Sequence, residues 1–363
     1  MSLRVLARAA TALAALAGLV LACGADGEAP RVPHVTTAMP PSAAPSPDGG
    51  EGGDASSAGQ ADGGTDGPRA SRRRERLPRF PTPSFGAGDV ALTATHRFRM
   101  VVSTKAMRAN ASAARLGRAL RLMPSILDAK ERTGVDVLDE SEWLFTYGPD
   151  IGAIVTNANI VRHRVPDEEV TSALRRSAFE PSRYAEGGLA SDLFGADMVL
   201  LRPRPQTLAL VPQDRASDIA VVLAKLEDRG LPGPGPNIVT ATVREPGPLL
   251  AGHVDAAVAD AITKVDVSVR PGTPDGLDAL ADATCATEEK CKAAAEALDA
   301  NARRRNSLAV RIATRGLLNG LTVRAEGARM KVTLHATAEQ VEALDQLLRA
   351  VLGLPAADPV ARP

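Results

Sequence analysis

The chain has 363 residues, a formal net charge of zero and 2% aromatic residues, with one tryptophan and two tyrosines. That balance argues against general electrostatic binding of nucleic acid, and so few rings leave little on which bases or sugars could stack. Arginine outnumbers lysine 36 to 7, a bias of the kind a high-GC coding sequence produces, so a single arginine is weak grounds for a site.

Residues 1–23 read as an export signal. A basic head (Arg4, Arg8) precedes a run, 9–22, made almost entirely of Ala, Leu, Val and Gly. A run of that length suits the ~7–15 residues of a signal-peptide core and falls short of the ~20 that span a bilayer. Arg4 and Arg8 are not adjacent, so no twin-arginine signal is formed. The run closes Leu19-Val20-Leu21-Ala22-Cys23. Ordinary cleavage after Ala22 is one reading, since Val20 and Ala22 are both small. The other rests on a resemblance: Val20-Leu21-Ala22-Cys23 is similar to the lipobox of bacterial lipoproteins, a likeness confined to these first residues. It implies that the Cys23 thiol is diacylated, that the chain is cut before it, and that the new amino terminus is acylated too. Gly24, rather than Asp, resembles lipoproteins sent to the outer membrane. Each buried methylene contributes ~0.8 kcal/mol, and two or three acyl chains make attachment durable where one does not.

Residues 24–84 carry ten Pro and ten Gly among Ser, Ala and Asp, too little apolar surface to bury, so a disordered tether is expected. Its charge is blocked, with an acidic stretch to 67 and then an Arg-rich one. Arg72, Arg73, Arg74 and Arg76 read either as a solvated linker segment or as a contact for anionic lipid or an envelope polymer. Asp62-Gly-Gly-Thr-Asp66-Gly67 lacks the ligand spacing of a calcium loop.

The body begins at about 85. Strand character marks 90–95 and 97–103. Residues 111–130 read as a helix with Leu116, Leu120, Met123 and Leu127 on one face, kinked or divided by Pro124. Strands are expected at 142–147 and 153–165, then a helix opened by Pro166 and Asp167–Glu169. Strands at 197–202 and 207–211 precede a helix over 215–228, and the Gly/Pro run 230–236 breaks all regular structure. Beyond it come strands at 238–243, 263–269 and 277–281, a helix over 287–304 capped by Thr287, and a hairpin of 318–325 with 329–336. Val332 and Leu334 alternate there with Lys331, Thr333 and His335, one face dry and one wet. Thr337–Gln340 is a capping box that opens a last helix with Val341, Leu344, Leu348 and Val351 inward. The expected class is α+β, antiparallel sheets with helices packed on one face, in modules 85–229 and 237–354 followed by a disordered tail, 355–363. The order strand, helix, strand, strand, helix over 97–177 and again over 264–352 suggests two similar modules.

Sites are scarce. G-x-S-x-G and H-E-x-x-H do not occur. Gly86-Ala-Gly88-Asp-Val-Ala91 matches a dinucleotide fingerprint by letter but leads into a strand, not a helix. Of the five histidines, His34 lies in the tether and His253 in a loop or helix start; His96, His163 and His335 fall on strands, where they converge only if the fold brings them together. Carboxylates at Asp139/Glu140/Glu142, Asp167–Glu169 and Glu288/Glu289 could be acid–base pairs, but the last two groups sit at helix starts, where acids are expected anyway, and a structural role is favoured there. Trp143, Phe145 and Tyr147 share one strand face and read as core rather than as a binding strip. Cys285 and Cys291 flank the cap at Thr287, and a disulfide is favoured over a metal site, which two thiols alone do not fill. No catalytic, cofactor or metal set emerges. The leading expectation is a lipid-anchored envelope protein, held through Cys23, with a non-catalytic binding or structural body and no nucleic-acid partner. A carrier of an apolar ligand and a hydrolase assembled from distant residues are the alternatives.

Overall fold

The structure is a computed structural model and describes residues 97–149, 156–177, 179–193, 197–225, 236–247 and 256–355. The expected strand at 90–95, the signal, the tether and the tail beyond Pro355 lie outside them. In chain order come β1 (Phe98–Val102), α1 (Thr104–Ala109), α2 (Ala111–Arg121), α3 (Pro124–Thr133), β2 (Ser141–Gly148), β3 (Ala158–His163), α4 (Asp167–Arg176), β4 (Leu189–Ser191), β5 (Met198–Arg204), β6 (Thr207–Pro212) and α5 (Ala216–Lys225). Then follow β7 (Val239–Arg244), α6 (Ala256–Ala261), β8 (Ile262–Pro271), β9 (Leu277–Cys285), α7 (Glu288–Arg305), α8 (Leu308–Ala313), β10 (Leu321–Glu326), β11 (Arg329–Ala336) and α9 (Ala338–Leu352).

Local chemistry sets many of these bounds. Asn110 ends α1 and caps α2, its side chain accepting the Ala113 N–H at 2.9 Å. Pro124 begins α3, so the long helix expected over 111–130 is divided there, as a proline at a first helical position requires. Thr287 caps α7, and Thr337 with Gln340 forms the capping box of α9. The sequence reading missed α1, α6, α8 and β4, each six residues or fewer and too short to show a period. Two residues assigned to inner faces are wet: Leu127 is 46% and Val351 75% exposed.

Among the described residues, eleven strands join one antiparallel sheet in the order β10-β11-β9-β8-β7-β1-β2-β3-β6-β5-β4. The two modules are thus not separate sheets. They meet where β1 pairs with β7, Phe98 opposite Val243 and Val102 opposite Val239. Outward from that seam the order repeats: β1-β2-β3-β6-β5 on one side, β7-β8-β9-β11-β10 on the other. In each half a strand and helical segment lead to a hairpin, then a helix, a second hairpin and a final helix. The repeat therefore runs over 98–225 and 239–352. With the bounds 97–177 and 264–352 the strand orders disagree, because the opening strand of the second half is β7.

Cross-strand register separates the two faces. Phe98, Val239, Val265, Ala283 and Val332 lie on what we term the front, in one core cluster with α1, α2, α6, α7 and α9. Farther along the front, α3 and α4 cover Val161, Leu200 and Leu208. On the back, Trp143, Phe145, Tyr147, Ile160, Val199 and Ala209 pack beneath Ile219 and Leu223 of α5. Helices thus cover both faces of the first half, where one covered face was expected. β5 and β6 accordingly carry apolar runs without alternation, Met198–Leu201 and Leu208–Val211, as strands buried on both sides must.

Asp136, 1% exposed, ties α2 and α3 to the turn that leads into β2. Its Oδ1 accepts the N–H groups of Leu138 at 3.2 Å and Asp139 at 3.1 Å, while Oδ2 faces Arg121 Nε at 2.6 Å and Lys130 Nζ at 3.2 Å. Burial pushes this carboxyl up, but the two N–H groups, the Lys130 ammonium and the Arg121 guanidinium outweigh it and hold the group below the usual carboxylate range. A carboxyl held low contributes stability that is complete above its unfolded pKa near 3.8 and is lost as pH falls through the folded value. Asp136→Asn is expected to cost about 2 kcal/mol at neutral pH and to flatten the acid limb of stability, read from urea melts across pH. Cys285, at the end of β9, and Cys291, in α7, sit at disulfide distance with Cα atoms 5.3 Å apart. Reducing the bond is expected to lower unfolding free energy by about 2 kcal/mol, the value for so short a loop, with thiol titration confirming the two freed sulfhydryls.

Candidate functional site

The final helix of each half goes to a different face. α5 covers the back of the first half, whereas α9 joins the front cluster through Val341 and Leu352 and meets α2 by the Arg115–Glu342 ion pair at 2.9 Å. Among the described residues no helix covers the back of the second half. β11 alternates strictly, exposed at Arg329, Lys331, Thr333 and His335 and buried at Met330, Val332, Leu334 and Ala336, while toward the seam Thr242 of β7 is 3% exposed.

Register arranges this bare face in cross-strand rows. Arg270, Asp278 and His335 stand opposite one another on β8, β9 and β11. The next row is Thr240, Ser268, Leu280, Thr333 and Thr322, and the third is Thr242, Asp266, Asp282, Lys331 and Arg324. A hollow of about 370 Å3 opens over the first two rows, rimmed by Asn237 and Gly320. Gly320 allows the backbones to close there, for a Cβ would stand 2.9 Å from the His335 carbonyl oxygen.

Asp278 is the centre of the hollow. His335 Nδ1 donates to its Oδ1 at 2.7 Å, and Arg270 Nε lies 3.5 Å from Oδ2. A carboxylate can only accept, so Nδ1 of His335 carries the hydrogen of this bond, which does not use Nε2. In the next row the hydroxyls of Thr322 and Thr333 bond each other at 2.5 Å. Below it Thr242 donates to Asp266 at 2.8 Å, and Lys264 pairs with Asp266 at 2.6 Å. Opposite charges interleave, so the face offers many donors and acceptors with little net field. Such a surface suits a polar ligand recognised by hydrogen bonds more than one drawn in by charge.

The residues singled out from sequence are scattered. His163 is buried on β3, its Nδ1 donating to the Val165 carbonyl at 3.1 Å, and burial holds its pKa below the usual imidazole value. His335 lies six strand spacings away, about 29 Å, so the two do not converge. His34, His96 and His253, the Gly86–Ala91 match, Cys23 and the arginines 72, 73, 74 and 76 lie outside the described residues. Trp143, Phe145 and Tyr147 are core, with the last two rings 5.4 Å apart. Glu140 accepts the Asp136 N–H at 2.6 Å, and Asp167 accepts that of Gln206 at 3.0 Å, both structural tasks. Asp278, Arg270 and Ser268 were not singled out. Their signal was the polar alternation of 264, 266, 268 and 270, but periodicity alone does not say which strands become neighbours.

No protein-family model matches the sequence, and no curated protein matches it significantly. Among solved structures, crystal form I of TP0453 is similar at a TM-score of 0.34 and 9% identity, over 74% of this chain and 97% of that one. A likeness that distant carries no functional argument.

Leu280 and Leu334 both border the hollow, yet Leu280 is 39% and Leu334 2% exposed. If the back is open to water, Leu280→Ser should change stability by no more than about 0.5 kcal/mol, whereas Leu334→Ala should cost about 2–5 kcal/mol. Denaturant melts of the two variants measure both.

Proposed function

We propose that the protein is a lipid-anchored envelope protein, held through Cys23, whose body is a binding module that takes a polar ligand on the bare back of its second half. The observation that carries the reading is the contrast between the halves. A repeated topology buries this face in one copy and leaves it open in the other, lined by the Arg270–Asp278–His335 row and the hydroxyl row beside it. The anchor reading rests on residues 1–23, with 24–84 as a leash between membrane and body and with Arg72, Arg73, Arg74 and Arg76 available to anionic lipid or polymer.

A carrier of apolar ligands requires a cavity lined by Leu, Val and Ala; this hollow has Ala279, Leu280 and Leu334 in its wall but sets Asn237, Ser268, Arg270, Asp278, Thr333 and His335 among them. A hydrolase draws support from one feature, an imidazole oriented by a carboxylate. Yet Thr333, the hydroxyl on the same strand and face, stands two residues along, about 7 Å by strand rise, and is bonded to Thr322.

Affinity capture of the intact protein from its own envelope tests the proposal, alongside Cys23→Ser and a Ser268→Arg/Thr333→Arg variant. Cys23→Ser should leave the membrane fraction, and mass spectrometry should find acyl chains on Cys23 of the parent only. The double variant should stay anchored and lose the captured component. An unmodified Cys23 would refute the anchor, and capture that survives the double variant would refute the binding face.

A further inference from the structure

We propose that α8 and the arginines around it form a second, non-covalent contact that lays the body on an anionic bilayer surface. α8 is short but fully built. Ser307 caps it, Thr314 Oγ1 donates to the Val310 carbonyl at 2.7 Å, and Gly316, at φ 73°, closes it by donating to the Arg311 carbonyl at 2.7 Å. None of its residues is buried. Leu308 is 66% and Ile312 71% exposed. At 100° per residue these two share one side a turn apart with Arg311 beside them, while Val310, half-buried, points the other way. A helix held in place and turned with its two largest aliphatic side chains toward solvent gains nothing from them in the folded body. Side by side they make an apolar patch that the folded body leaves open.

Charge indicates what covers it. Residues 303–315 carry Arg303, Arg304, Arg305, Arg311 and Arg315 and no acid. Neighbouring carboxylates offset part of this: Asp299 meets Arg303 at 2.7 Å, and Glu339 and Glu342 meet Arg315 at 3.9 and 3.7 Å. Arg304 is engaged as well, but Arg305 and Arg311 meet no carboxylate among the described residues, so the balance remains positive. A second copy docking through the same patch would set one run of arginines against another, which like-charge repulsion opposes. An anionic lipid surface satisfies both the apolar side chains and the arginines. Six residues are far too few to cross a bilayer, so the helix would lie in the headgroup layer. This contact goes beyond the anchor at Cys23 and does not depend on it.

The test is Ile312→Cys in the full chain, labelled with an environment-sensitive fluorophore and mixed with vesicles. Phosphatidylglycerol-containing vesicles should give a blue shift that phosphatidylcholine vesicles do not give and that about 1 M salt abolishes. Adding Leu308→Glu should weaken the vesicle dependence of the shift at least tenfold without altering the thermal melt, since Leu308 is exposed. The same label on a Thr333→Cys protein should not respond. A label at 312 that stays in water on anionic vesicles overturns the proposal. So does a shift that grows with protein concentration in the absence of vesicles, which would assign the patch to a second copy. Flotation of the unlabelled protein reports the Cys23 anchor separately, so failure of one contact is not mistaken for failure of the other.

Discussion

The pairing of β1 with β7 is the interaction on which the rest of the molecule depends. Neither half has a reason to sit beside the other except through this seam and the front helices that cross it. Five residue pairs, from Phe98 with Val243 to Val102 with Val239, turn a six-strand and a five-strand arrangement into one continuous sheet. With it in place, β1 and β7 are interior strands with both backbone edges hydrogen-bonded. Without it each would present a row of unpaired N–H and C=O groups to water or to another chain. The front core is built across the same line, since Phe98 and Val102 share a cluster with Val239, Val265 and Ala283.

The two halves then diverge at a single decision, the face taken by their closing helix. α5 turns to the back and α9 to the front. Strand composition records the outcome: β5 and β6 are apolar on both sides, whereas β8, β9 and β11 alternate. The front of the second half is thus a core that α6, α7 and α9 complete, and its back is a flat field of side chains held in fixed rows by the register. Sheet positions are rigid supports, so groups such as Asp278 and His335 are oriented before any ligand arrives, which reduces the ordering cost of binding.

Much of the fold was legible. Thr287, Pro124, Pro166 and the Thr337–Gln340 box mark helix starts through chemistry that acts within four residues, and the alternation in 329–336 gave one dry and one wet face without any structure. The pairing of strands was not legible, because the contact of β1 with β7 joins residues about 140 apart, and nothing local encodes such a partner. The candidate site fell in that gap. Arg270, Asp278 and His335 come from three strands and become neighbours only through register, so a search for spaced motifs passes over them. The exposure of Leu127 and Val351 was hidden for a related reason: a helical period locates an apolar stripe, but neighbouring elements decide how much of its width they cover.

The outer margin of the sheet has a consequence for colloidal behaviour. β5, the counterpart of β10, is closed by the three residues of β4, while β10 ends the sheet on its own side. Six residues there offer hydrogen-bonding groups to any extended chain that drifts past. Arg324 and Glu326, exposed along that margin, make such stacking unfavourable by requiring charge to be dehydrated or set against like charge. What guards this edge against strand addition is thus a pair of rim charges rather than the depth of the core.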